Sequence, residues 1–385
     1  MWRSHVVQHN LHVIKRTVLN RWLGVTSKIV YSSYSVPPSG IAFLNRRCDY
    51  LDRFLSYKLG GGKENSVFDF VGVGILLALL FVFGFLTRRA WRARNGVVKW
   101  VGTIVAGLLT LAVAVVTGAG LYGFSMLNRS YSNPVQNVKV AGSPEQIARG
   151  EKLAHICVGC HATGGQLPLT GQDFGTDGPP VGTLYAANLT PGGELKDWSD
   201  GEIIRAIREG IHKDGRSLLI MPSMTFRGLS DDDVQALVAY LRSQPATPAT
   251  PPTKINLMGA LLVAISNGAF LSAQAPVSGP VVAPPAGTTA EYGKYLVYTI
   301  GGCRDCHGPS LAGGTPDPNG PPAGPDITGV AQHWSEADFM KMIRTGIRPD
   351  NTPLSESMPW KDISAFASDD DLRAIFAFLK TLPAK

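Results

Sequence analysis

Cys157-Val158-Gly159-Cys160-His161 and Cys303-Arg304-Asp305-Cys306-His307 are the two stretches on which the reading of this chain turns. Each sets two thiols three positions apart, on one helical turn, with an imidazole directly after the second. That spacing suits covalent capture of a haem: the thiols add to its two vinyl groups and the histidine reaches the iron. Four of the five cysteines are used in this way and Cys48 is left alone, so the pattern is not a disulfide framework. A zinc ribbon would want four protein ligands in one cluster, and a dithiol redox pair has no need of the following histidine twice. The sequence therefore predicts two covalently attached c-type haems, held by Cys157, Cys160 and His161 and by Cys303, Cys306 and His307.

The residues around the motifs also recur in order. Upstream, Ser143-Pro144-Glu145-Gln146 and Thr289-Ala290-Glu291 open helices running towards the first cysteine of each motif. Downstream come Gly- and Pro-rich loops. Trp198-Ser199-Asp200 and Trp334-Ser335-Glu336 then start a second helix, and Gly210 and Gly346 stop it. Met221-Pro222 and Met358-Pro359 follow, in a segment read as extended. Ser230 and Ser368, each before three aspartates, cap a last helix. This is an internal duplication of about 100 residues. An axial thioether raises the potential of a haem iron, and Met221 and Met358 are the expected sixth ligands, with Met224 a nearby competitor. His155, His212 and His333 do not recur at equivalent places. With two protein ligands on each iron no position stays open for a substrate, which favours electron transfer over catalysis.

The formal charge of +7 is misleading. Residues 1–65 carry ten Lys/Arg and three Asp/Glu, whereas residues 100–385 carry 21 basic and 25 acidic side chains. A nucleic-acid-binding face on the haem region is not expected. In the basic segment, His5, His9 and His12 could share a helical face, and Cys48 reads as an ordinary thiol. Phe70–Leu86 and Val101–Phe124 are apolar runs near the roughly 20 residues that span a bilayer, joined by Arg88, Arg89, Arg92, Arg94 and Lys99. The positive-inside rule places that connection in the cytoplasm and the haem motifs on the extracytoplasmic side, where bacterial haem attachment takes place. Residues 244–254 read as linker. Ile255–Leu271 reads as an apolar helix lying between domains or on the membrane surface, ahead of a Pro-rich stretch over 275–286.

Both units resemble class I c-type cytochrome domains. Ala187-Asn188-Leu189-Thr190-Pro191 and Pro325-Asp326-Ile327-Thr328 are similar, more narrowly, to the cytochrome c subunits of bacterial membrane-bound alcohol and gluconate dehydrogenases, over roughly residues 140–385. The resemblance implies that the cysteines hold haem, that His161, Met221, His307 and Met358 bind iron, and that electrons pass towards the respiratory chain. Those subunits usually have three such domains. The N-terminal hairpin is instead similar to that of a dihaem haem–copper oxidase subunit. The expected architecture is mostly α: an uncertain basic segment (1–65), a transmembrane helical hairpin (66–125), one cytochrome c domain (140–245), a Pro-rich linker with an apolar helix (246–286) and a second cytochrome c domain (287–385). The expected function is electron relay at the cytoplasmic membrane, with a dehydrogenase, a quinol-oxidising complex or a terminal oxidase as redox partner. The alternatives are a peroxidase-like or thiosulfate-oxidising dihaem enzyme with one open haem, and a tightly bound oxidase subunit.

Overall fold

The computed structural model describes residues 71–383, apart from 176, 177, 179 and 316–322. The basic segment, with His5, His9, His12 and Cys48, lies outside the described residues. The described chain is mostly α-helical and begins with a hairpin of α1 (Val71–Trp91) and α2 (Gly96–Leu127). At 1.5 Å per residue these are about 31 and 48 Å long, enough to cross a hydrocarbon core of about 30 Å. α1 runs further than the apolar pattern suggested and takes Arg88 and Arg89 into its last turn, where cations suit the helix dipole. Asn95 caps α2 by accepting from the amides of Val97 and Val98. Lys99 lies 4.7 Å from the Trp91 ring centre, and Trp91 meets Trp100 edge-on. The flanks are apolar and open: Phe81 is 78 % and Val115 63 % exposed. A patch of this kind belongs against lipid or another protein, consistent with membrane anchoring.

Beyond the hairpin, two helical units follow the same plan. In the first, α3 (Pro144–Ala154) leads through a 3₁₀ turn into α4 (Val158–His161), and α5 (Asp200–Glu209), α6 (Ser223–Phe226) and α7 (Asp231–Ser243) come after the motif. Two short antiparallel pairs lie between them and beyond. Of their strands, β1 (Gln172–Asp173) bonds to β3 (Tyr185–Ala186), and β2 (Gly182–Thr183) to β4 (Lys254–Ile255). α8 (Leu257–Ile265) precedes the second unit. That unit contains α9 (Ala290–Tyr295), a π turn over Leu296–Ile300, α10 (Cys303–His307), α11 (Val330–His333), α12 (Glu336–Thr345), α13 (Trp360–Phe366) and α14 (Asp369–Lys380).

The correspondence between the units extends to single residues. Ser199 and Ser335 close capping boxes, and Gly210 and Gly346 end α5 and α12 at φ 64° and 71°. Arg208 and Arg344, in the last turn of those helices, reach the start of the last helix. Arg208 donates to Leu229 O and pairs with Asp231 at 2.7 Å, while Arg344 donates to Ala367 O and pairs with Asp369 at 2.8 Å. The first and last helices of each unit cross at a glycine. A Cβ on Gly150 would lie 1.9 Å from Ala236 O, and one on Gly293 would lie 1.9 Å from Ala374 O. Only glycine allows the backbones so close.

Three elements depart from the sequence expectations. Met-Pro is not followed by extended chain but by a short helix in each unit, α6 and α13. The expected linker 244–254 is fastened to the first unit: Gln244 Oε1 accepts from the Leu169 amide, and buried Asn188 donates to Thr247 O and Pro248 O. α8 is nine residues long, too short to span a membrane, and packs on the hairpin itself. Leu257 fills the space left by Gly72 and Gly120, and the Ala260 carbonyl approaches Gly123. The two units also share one hydrophobic core, in which Leu153, Val158, Leu229 and Val238 are continuous with Leu296, Ile300, Leu372 and Phe376.

Close backbone crossings predict intolerance to one methyl group. Gly150→Ala and Gly293→Ala should each destabilise the protein by about 1–3 kcal/mol, the usual cost of overpacking. Gly74→Ala, with nothing within 4 Å, should be tolerated. Chemical denaturation of the three variants checks this.

Candidate haem sites

Each motif histidine is aimed by a backbone carbonyl. His161 Nδ1 lies 2.8 Å from Ala187 O, and His307 Nδ1 lies 2.7 Å from Pro325 O. A carbonyl only accepts, so in both rings Nδ1 carries the proton. Nε2 is left with a free lone pair, the form a metal-binding imidazole takes. Burial pushes the His161 pKa down against the pull of the Ala187 carbonyl, which also favours the neutral ring. The carbonyls are held in turn by an Asx turn one residue on. Asn188 Oδ1 accepts from the Thr190 amide at 2.8 Å, and Asp326 Oδ1 accepts from the Thr328 amide at 2.7 Å. In the second unit the loop passes so close to the ring that a Cβ on Gly324 would lie 2.8 Å from His307 Nδ1.

The thiols sit in a setting unlike that of a redox pair. All four motif cysteines are free. Burial pushes the Cys157 and Cys303 thiols up to about 12, and raises Cys160 and Cys306 as well. A reactive dithiol has at least one thiol shifted the other way.

His161 and Met221 face the same space. An apolar cavity of about 370 Å³, counting its open mouth, is lined by both together with Ile156, Leu189, Ile207 and Phe226. Cys157 is on its wall. The cysteine, imidazole, thioether and apolar lining fit a c-type haem, which would supply the redox-active iron when bound. Met224 points elsewhere and is 56 % exposed.

Met221 is presented by a turn that recurs in the second unit. Pro222 has φ −78° and ψ 53°, and the Ser223 amide donates to Met221 O at 2.8 Å. Pro359 has φ −79° and ψ 50°, and the Trp360 amide donates to Met358 O at 2.8 Å. Both are inverse γ-turns that lead straight into a helix. Met358 is half-buried against the shared core.

The other histidines sit elsewhere. His212 is tied to Glu194 at 2.6 Å and to Asp214 at 2.8 Å. His155 lies in the 3₁₀ turn before Cys157 and His333 at the end of α11. The residues missed in the sequence are Ala187 and Pro325, which act through backbone carbonyls, and Arg208 and Arg344. The repeated Asn/Asp-x-Thr was the available signal for the first two, and the repeated Arg-x-Gly-Ile for the others.

Residues 147–245 match the family model "Cytochrome c", and residues 289–379 match "Cytochrome C oxidase, cbb3-type, subunit III". The chain is 30 % identical to the cytochrome c subunit of alcohol dehydrogenase (quinone) from Gluconobacter oxydans (strain 621H), over 62 % of this chain and 55 % of that protein. It is 31 % identical to the gluconate 2-dehydrogenase cytochrome c subunit of Pantoea cypripedii, over 62 % of this chain and 60 % of the relative. A diheme cytochrome c-type protein of Cereibacter sphaeroides is 28 % identical over 72 % of this chain and 98 % of its own length. The chain spans a little over half the length of the two dehydrogenase subunits. Relatives named as cytochrome subunits of dehydrogenases are consistent with carrying electrons rather than catalysing a reaction. The chain thus contains a class I c-type cytochrome domain related to the cytochrome c subunits of membrane-bound quinone-dependent dehydrogenases.

Proposed function

We propose that this chain is a membrane-anchored dihaem cytochrome c that relays single electrons outside the cytoplasmic membrane of a bacterium. One observation carries the reading: the histidine–carbonyl hydrogen bond and the Met-Pro γ-turn occur twice, at matching places in two duplicated units. In this reading residues 140–245 and 287–385 are both cytochrome c domains and 246–286 connect them. Cys157, Cys160, Cys303 and Cys306 hold the haems covalently. His161 and Met221 ligate one iron, His307 and Met358 the other. The chain's own part in the chemistry is positional. Carbonyls fix the imidazoles, prolines stiffen the loops that present the thioethers, and apolar walls exclude water from the first pocket. Thioether ligation favours reduced iron, as a respiratory carrier needs.

The hairpin of α1 and α2 sets the side of the membrane. Arg88, Arg89, Arg92, Arg94 and Lys99 cluster at one end, which the positive-inside rule assigns to the cytoplasm. The opposite end, where Gly120 and Gly123 receive α8, then lies on the side of the haem units. Partners follow from the relatives' names: a membrane-bound quinone-dependent dehydrogenase as donor, with a quinol-oxidising complex or terminal oxidase further along. A second reading, a subunit bound tightly within a terminal oxidase, is favoured by the match of residues 289–379 to an oxidase subunit.

Two outcomes are expected. Ferric-state spectroscopy should show two low-spin haems. Met221→Ala should turn one of them high-spin and lower its potential, while Met224→Ala should change neither; the reverse result for the two variants would exclude Met221 as ligand. Purification in mild detergent should bring a dehydrogenase or an oxidase with the chain, and which one arrives decides between the two readings.

A further inference from the structure

The short helix α8 is apolar on both faces. Leu257–Ile265 carries no polar side chain. Ala260 and Val263, on its inner face, are buried in one cluster with Val73, Phe124 and Leu127 of the hairpin. Met258, Leu262 and Ile265, at i, i+4 and i+7, form an outer face that is just as apolar but open: Met258 is 48 % and Ile265 78 % exposed. A helix with water on one side carries polar residues there, and a helix apolar all round is buried in protein or in lipid. The surrounding residues 244–289 hold one charged side chain, Lys254, just ahead of α8, where a long cationic stem can keep its head in water.

The hairpin measures how deep this helix sits. Trp91 and Trp100 meet edge-on beside the basic turn, and tryptophan marks membrane boundaries. A Cβ on Gly72 would lie 2.8 Å from Leu257 Cβ, and one on Gly120 would lie 2.5 Å from Leu257 Cδ1. Gly72 is about 29 Å along α1 from Trp91, and Gly120 is about 30 Å along α2 from Trp100. Both helices therefore put the start of α8 at the far boundary of a hydrocarbon core of about 30 Å. Tyr122, 54 % exposed, stands at that level, as interfacial aromatic residues do. α8 then rises beside the last turns of α2. The Ala260 carbonyl meets Gly123, and a Cβ on Gly268 would lie 2.7 Å from Met126 Cε; Met126 is about 9 Å further out than Gly120.

The chain leaving α8 reaches the first methionine loop. Leu271 bridges Leu219, and the Ile220 amide donates to Phe270 O at 2.9 Å. Leu219, Phe270 and Leu271 all pack on the hairpin cluster. Ile220, next to Met221, has φ 63°, a strained conformation for a β-branched residue, and its side chain is 59 % exposed.

We propose that α8 is a third membrane-seated element, with Met258, Leu262 and Ile265 lying against the acyl chains and headgroups of the leaflet on the side of the haem units. This rests on the membrane-anchored reading. Continuity with the open apolar flanks of the hairpin identifies lipid as the occupant, since the same boundary is reached along α1 and along α2. The Met221 loop, tied to the segment after α8, is thereby held close above the bilayer surface.

The test uses the haem-loaded full chain in phosphatidylcholine nanodiscs, in a Cys48→Ser background so that an introduced cysteine is the reactive thiol. Phe81→Cys reports the hairpin, Met258→Cys reports α8, and Val282→Cys is the control, an exposed apolar site beside the start of α7, where Val281 O accepts from the Asp231 amide. Phe81→Cys and Met258→Cys should react with a water-soluble maleimide severalfold more slowly than Val282→Cys. Phosphatidylcholine with a diazirine in its acyl tail should leave adducts on both α1 and α8 peptides after photolysis. Lipid adducts on α1 alone, with Met258→Cys as reactive as Val282→Cys, would overturn the inference and leave the anchored reading standing. Protection of Met258→Cys without adducts on α8 would also overturn it, because protein would then cover the face. A reactive Phe81→Cys without adducts on α1 would overturn both.

Discussion

A single kind of hydrogen bond organises the site: imidazole Nδ1–H to a backbone carbonyl, from His161 to Ala187 and from His307 to Pro325. It chooses the tautomer, aims Nε2, and ties the short attachment helix to a loop that is otherwise remote in sequence. Much of the surrounding structure serves that loop. Asn188 and Asp326 set its turn, and the 244–254 segment holds Asn188 through Thr247 and Pro248. Gly324 lets the chain pass against the ring. Metal-binding histidines depend on such outer contacts nearly as much as on the metal bond itself.

The second constraint is duplication within one fold. Backbone devices recur in both units: two left-handed glycine caps, two Met-Pro γ-turns, two arginine clamps and two glycine crossings. The differences are concentrated where the units meet other things. Where the units meet, Thr225 Oγ1 donates to the Asp305 carboxylate, whereas Gly159, at the place of Asp305 in the first motif, has no side chain to accept. The first unit alone carries the fastened 244–254 segment, α8 and the contact to the membrane hairpin. The first unit is thereby fixed to the apolar hairpin, and the second unit shares the core of the first.

Much of this was legible in the sequence because local rules govern it. Ser199, Ser335 and Ser368 read as caps and form capping boxes; Gly210 and Gly346 read as stops and adopt positive φ. Apolar runs located both hairpin helices, with ends off by several residues because arginine is a good helix former beyond the apolar stretch and Asn95 caps the second helix ahead of it. What escaped the sequence rests on tertiary contact. The α6 and α13 helices follow a proline that was read as extending the chain, although Pro also suits the start of a helix. The 244–254 segment looked like a free linker because its anchors, Asn188 and Leu169, are more than 50 residues away. Met224 competed with Met221 on spacing, and only burial and the shared cavity with His161 separate them. The contact between the units, where Thr225 Oγ1 donates to Asp305, had no local signal, since the two residues are 80 positions apart.

Counting haem is the most direct test of the central claim that both units are haem stations. The purified chain should carry two haems per polypeptide by alkaline pyridine haemochrome against quantitative amino-acid analysis. Replacing Cys157 and Cys160 by serine should leave one, as should replacing Cys303 and Cys306. A wild-type ratio of one, or a second motif whose loss changes nothing, would contradict the account.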